Sequence, residues 1–71
     1  MEFKDFVKGL NREEREVYAA AAGTTVDYLW QISGGFSKPS GLLARRLADE
    51  SGGKVRREDL RPDIFGESDA A

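Results

Sequence analysis

The sequence predicts a small all-α domain of four to five short helices, and three observations predict it. Apolar residues recur at three- and four-residue intervals in successive stretches, the spacing that places them on one helical face. Those stretches open on residues that cap helices, Asn11, Thr25 and Ser40, and close on glycines, Gly23, Gly34-Gly35 and Gly52-Gly53. The chain has 71 residues and no cysteine. A length of this order supports one thin hydrophobic core, burying only about 60% of the surface the unfolded chain exposes, with no disulfide to help it.

The first helix is read from Phe3, Phe6, Val7 and Leu10, with Glu2, Lys4, Asp5 and Lys8 facing away. Asn11 with Glu14 three residues on makes a capping box for the second, and Glu13 also sits in its favoured first turn. This helix runs to about Ala22. Its inward face is taken as Val17, Tyr18 and Ala21 or Ala22, and the small side chains of Ala19 to Ala22 let another helix cross closely. Gly23 stands where a helix end needs a left-handed residue. Thr25 then caps a short third helix from about Val26 to Ser33, with Leu29 and Ile32 inward. Turning about 100° per residue, Asp27, Trp30 and Gln31 fall broadly opposite, and Val26 and Tyr28 lie on the flanks. The whole stretch from Ala19 to Pro39 has a helix-turn-helix outline.

Phe36 to Pro39 reads as a surface loop in which Pro39 holds Lys38 out of helical geometry. Ser40 caps a fourth helix from Gly41 to about Ser51, with Leu43, Ala44, Leu47 and Ala48 inward and Arg45, Arg46, Asp49 and Glu50 solvated. Lys54 to Arg56 is extended, Arg57 to Leu60 forms one helical turn, and Pro62 closes it. Val55, Leu60, Ile64 and Phe65 then return to the core. Residues 1–65 form the domain, and Gly66 to Ala71 is an acidic tail expected to be disordered.

Eleven Lys and Arg stand against 13 Asp and Glu, a formal charge of -2. Glu67 and Asp69 lie in the tail, so residues 1–65 hold 11 acids and 11 bases. A neutral domain does not coat nucleic acid indiscriminately, because non-specific affinity is nearly all phosphate neutralisation. Without cysteine or histidine, thiolate chemistry, imidazole catalysis and Cys/His zinc sites are excluded. No nucleophile, base and oxyanion donors can be grouped, so no catalytic residue, metal, cofactor or small-molecule substrate is expected. No apolar run nears the roughly 18 to 20 residues of a membrane span, and the N-terminus lacks the marks of a signal peptide. A cytoplasmic location is expected.

Ala19, Gly23 four residues on, Leu29 six further and Ile32 three further, then Gly34-Gly35, Lys38-Pro39-Ser40 and Leu47-Ala48, form a spacing that is specific as a set. On these residues the chain resembles the Cro/CI, lambda repressor-like helix-turn-helix regulators of phages and prophages. The match runs without a gap from about Arg15 to Glu50, with the motif at about residues 15–34. The segment from Gly52-Gly53 to Ile64 is similar to that of small Cro-like prophage proteins. The resemblance implies a lambda repressor-like domain whose third helix enters the DNA major groove, with homodimers reading two half-sites of a double-stranded operator.

Carried onto this chain, the resemblance makes Val26, Asp27 and Gln31 base-facing, with Thr25 and Tyr28 nearer the backbone. Gln31 suits adenine N6 and N7, and Asp27 accepts from cytosine N4. Arg15, Ser37, Lys38 and Ser40 fall where the family touches phosphates, and the helix starts at Asn11 and Ser40 offer N–H donors. Many relatives carry Gln, Ser or Arg where this chain has Val26 and Asp27, so base-reading groups are few and Asp27 repels phosphate. The Val55 to Phe65 segment is assigned to dimerisation by elimination.

Several residues stay open between roles. Trp30 contacts DNA, stacks on Phe36, marks a partner's surface or packs on a neighbouring helix. Arg56-Arg57 is a solvated pair or a phosphate clamp. The neutral-to-acidic charge and the aromatics Tyr28, Trp30 and Phe36 keep a second function in view, a protein-interaction module or antitoxin-like protein on the same fold.

Overall fold

The computed structural model describes residues 1–65; the expected tail, Gly66 to Ala71, lies outside the described residues. Six helices follow one another: α1 (Phe3–Gly9), α2 (Arg12–Ala22), α3 (Val26–Ser33), α4 (Gly41–Glu50), α5 (Arg57–Leu60) and α6 (Pro62–Phe65). The all-α expectation holds. The punctuation read from the sequence is present in detail. The Asn11 side chain accepts from Glu14 N at 2.8 Å while the Glu14 carboxylate accepts from Asn11 N at 2.9 Å, so both halves of the capping box form. Thr25 Oγ1 accepts from Tyr28 N at 3.2 Å, and Ser40 Oγ accepts from Leu43 N at 3.1 Å. Each such cap is worth about 1 kcal/mol. Gly23 adopts φ 81°, ψ 31°, and its N–H returns to the end of α2. A side chain at Gly23 meets a strained backbone and the Arg46 guanidinium, 3.1 Å from where its Cβ would stand.

The core is one cluster. Val7 of α1, Leu29 of α3, Ala44 and Leu47 of α4, and Val55 are fully enclosed, with Phe3, Tyr18, Ala19, Ala22 and Leu60 around them. Fully burying a side chain such as Leu29 stabilises by about 1.5–3 kcal/mol. α2 packs chiefly on α4 and α1 on α3. The α2–α4 contact brings Ala19 and Ala22 to the helix that carries Ala44, the close crossing that small side chains permit. Tyr18 lies across this junction: its hydroxyl donates to the Leu47 carbonyl at 2.6 Å, and its ring meets Phe6 edge-on at 5.1 Å. Burial, with a smaller contribution from Glu50, pushes its phenol well above the ordinary range, so it stays a donor.

Three sequence expectations are corrected. Val17 is 69% exposed rather than inward, because the buried stripe of α2 runs through Tyr18, Ala19 and Ala22 and turns position 17 to its flank. Of the Ala21 and Ala22 alternatives, Ala22 is the buried one. Ile64 is 42% exposed, since a four-residue helix turns only Phe65 toward the core. Pro62, expected only to close the Arg57 to Leu60 turn, also begins a further helix, α6, as proline does well at the first helical position, where no N–H partner is needed. That raises the helix number above the four to five expected.

The segment between α4 and α5 is held by Ser51, the one buried polar residue among those described. Its Oγ lies 2.6 Å from the Ala48 carbonyl and accepts from Val55 N at 3.0 Å, which fixes the turn that drops Val55 into the core.

Candidate nucleic-acid interface

α3 is fixed from below and open from above. Leu29 is its single fully buried residue, and Val26 and Ile32 pack half-buried against the same core. The helical repeat then leaves Asp27 and Gln31, one turn apart, exposed on the opposite side. Thr25 is occupied as the cap. Ser33 returns its hydroxyl to the Leu29 carbonyl at 2.8 Å, closing the last turn before Gly34 and Gly35 release the chain.

The loop that follows is fastened to α3 by two side-chain bonds. The Tyr28 hydroxyl donates to the Lys38 carbonyl at 3.3 Å, and the Ser37 hydroxyl donates to Gln31 Oε1 at 3.0 Å. Tyr28 and Ser37 are thereby half-buried braces, whereas Lys38 and Ser40 remain exposed. The Ser37 bond also orients Gln31. With Oε1 accepting from Ser37, the amide NH2 has no acceptor among the described residues and stays available as a donor on an exposed side chain.

Arg15 is placed differently from these. Its Nε donates to the Val7 carbonyl at 2.9 Å, its Nη2 lies 3.4 Å from the Lys8 carbonyl, and its guanidinium sits 4.8 Å from the centre of the Trp30 ring. It ties down carbonyls at the end of α1, where the Val7 carbonyl also accepts from Leu10 N, and joins α1, α2 and α3. Trp30 thus packs against α2 through Arg15, with 38% of the residue still exposed.

A further anchor escaped sequence reading. Arg61 Nη1 donates to the Pro39 carbonyl at 2.7 Å, and its Nε and Nη2 form a two-pronged pair with Asp63 at 2.9 and 2.7 Å. The α3–α4 loop is thus clamped from the C-terminal segment. The Arg61 hydrogen bond, with smaller help from Lys38, holds the Asp63 carboxyl down to about 2. Arg61 and Asp63 flanking Pro62 were the available signal, but a pair two residues apart is not a helical neighbour and reads as solvated. Phe36, read as a loop residue and as part of an aromatic cluster with Tyr28 and Trp30, is 85% exposed with its ring over Gly34.

The sequence-named set therefore divides by position. Val26, Asp27, Gln31 and Lys38, with the cap residues Thr25 and Ser40 and the braces Tyr28 and Ser37, gather on α3 and its loop, while Arg15 stands apart at the α1 end. Among the described residues no group of three acids, histidines or cysteines is placed to hold a metal ion, and no helix is long and apolar enough to cross a membrane. What the surface presents is a carboxylate, an amide donor and a lysine on a rigid ridge, groups that recognise by hydrogen bonding and charge.

The chain is similar to a prophage transcriptional regulatory protein of Escherichia coli (strain K12), with 34% identity over 62 residues that span 87% of this chain and 94% of the relative. No family model matches the chain, and no solved structure matches it. An identity of this level over nearly the whole of both sequences means that the chain belongs to the family of that prophage transcriptional regulatory protein.

Proposed function

We propose that the chain is a sequence-specific DNA-binding transcriptional regulator of Cro-like type, which inserts α3 into the major groove and acts as a homodimer by occluding a promoter. The observation that carries this reading is the arrangement of α3: a short capped helix pinned by Leu29, with Asp27 and Gln31 outward and a braced loop behind. A reading helix must be held rigidly from one side so that side chains on the other keep their register on base edges. The family relationship to a transcriptional regulatory protein supports the same conclusion.

In this reading the Gln31 NH2 donates to a purine N7, with its oxygen still able to accept through its second lone pair. Asp27 selects cytosine N4–H and rejects other bases at its position, and Val26 offers an apolar contact to a thymine methyl. Lys38 and the start of α4 at Ser40 face phosphates, while Tyr28, Ser37 and Arg15 keep the ridge in place. With Lys38 the one cation that faces phosphate in each protomer, a dimer neutralises about two phosphates and gives a log-log salt slope of roughly -2.

Selection of duplexes from a random pool, followed by affinity measurement at physiological salt, tests the reading. An enriched site bound about a thousandfold or more above a scrambled duplex, weakened by Gln31→Ala and Lys38→Ala with the fold retained, supports it. Equal binding to both duplexes overturns it.

A further inference from the structure

Away from α3 lies a second surface with a different chemistry. An open groove of about 410 Å³ runs between α1 and α2 and reaches the end of α4, a volume within the roughly 300–1,000 Å³ of ligand-sized clefts. Its floor is apolar: Phe6 and Leu10 are half-buried, and the edge-on Phe6–Tyr18 pair lies beneath. Val17 and Ala21, one helical turn apart on α2, stand exposed along it. Glu13, Glu14 and Glu50 line it as well, and no basic residue does. Glu13 and Glu50 form no ion pair among the described residues.

We infer that this groove docks a basic amphipathic helix of a protein partner, with apolar side chains against Val17, Leu10 and Phe6 and lysines or arginines against Glu13 and Glu50. Charge decides the occupant. Phosphates are repelled by three carboxylates, so the groove is no second nucleic-acid site. A second copy of this chain meeting it across a twofold axis sets the same acids against themselves, which disfavours a symmetric contact here. A helix with an apolar stripe flanked by cations satisfies both the floor and the rim, and such helices read grooves through anchors spaced by three and four residues. The groove shares no lining residue with α3, so both surfaces can be engaged at once.

The test is a nuclear magnetic resonance titration of the isotope-labelled full chain with a synthetic leucine–lysine amphipathic peptide and its leucine–glutamate counterpart. Saturable shifts at Leu10, Val17 and Ala21 with the lysine peptide, and none with the glutamate peptide, are expected. Val17→Gln, at a site exposed enough to spare the fold, weakens binding by about tenfold or more. Glu13→Gln with Glu50→Gln weakens it by roughly three- to tenfold and flattens its salt dependence. Equal binding of both peptides, no saturable binding of the lysine peptide, or shifts confined to α3 overturns the inference. So does a fall in the sedimenting mass of the free Val17→Gln protein, which would give the groove to a second copy. None of these outcomes depends on whether the chain binds DNA.

Discussion

α2 and α3, adjacent helices of one motif, use their polar side chains in opposite ways. On α2, Arg15 reaches the Val7 and Lys8 carbonyls, Tyr18 reaches the Leu47 carbonyl, and Glu14 closes the cap at Asn11. On α3, Asp27 and the donor end of Gln31 are left to solvent, and the bonds that Tyr28 and Gln31 make go only to the adjoining loop. Under the proposed role for α3, the difference separates frame from reader: where hydrogen-bonding capacity is used up within the domain, a residue holds the fold, and where it is left open on a braced support, it is free to recognise.

Substitutions at the two kinds of position should therefore split stability from binding. The largest loss of stability comes from the frame: Leu47→Ala, in a fully enclosed site, lowers the unfolding free energy by about 2–5 kcal/mol in urea titration. Arg15→Met comes next, at about 1–2 kcal/mol, because it releases bonds to the end of α1 and the contact over Trp30, and tryptophan fluorescence should shift in the folded state.

The pH response probes the clamp beneath the reader. Asp63 is held at about 2, below its usual 3.8, so its contribution to stability is complete above about pH 4 and is lost as the pH falls toward 2. Asp63→Asn removes that part of the acid dependence and leaves stability at neutral pH only slightly lower, since the Asp63 carboxylate is about half exposed to solvent. Acid titration of both proteins followed by circular dichroism checks it. At the small end, Gln31→Ala on the reader changes stability by no more than about 0.5 kcal/mol. The same substitution lowers discrimination among duplexes by about 1–3 kcal/mol, so a stability loss as large as that of Arg15→Met would erase the distinction between the helices.

The frame was legible because each device is local. A capping residue, a left-handed glycine and an apolar residue every three or four positions act within one or two helical turns, and Asn11, Gly23, Thr25 and Ser40 all stand where their neighbours dictate. Val17 and Ile64 were misplaced for the complementary reason: which flank of an apolar face is covered depends on the partner helix, and that is tertiary information. Arg15 shows the same limit at the site. Its position in the motif is local, but its bonds run to α1 and its stacking to α3, neither visible from spacing. The exposed ridge of Asp27 and Gln31 followed from helical phase alone, whereas its brace from Ser37 and the Arg61 clamp on Pro39 needed the folded chain.

In the proposed function α3 and its loop form the DNA-reading surface, and the groove beside Val17 does not. Titrating the isotope-labelled chain with the duplex selected from a random pool, and mapping amide shifts, tests it most directly. Saturable shifts centred on Thr25 to Gln31 and Ser37 to Ser40 are expected, with Leu10, Val17 and Ala21 unmoved. Shifts centred on the groove, with α3 unmoved, would contradict it.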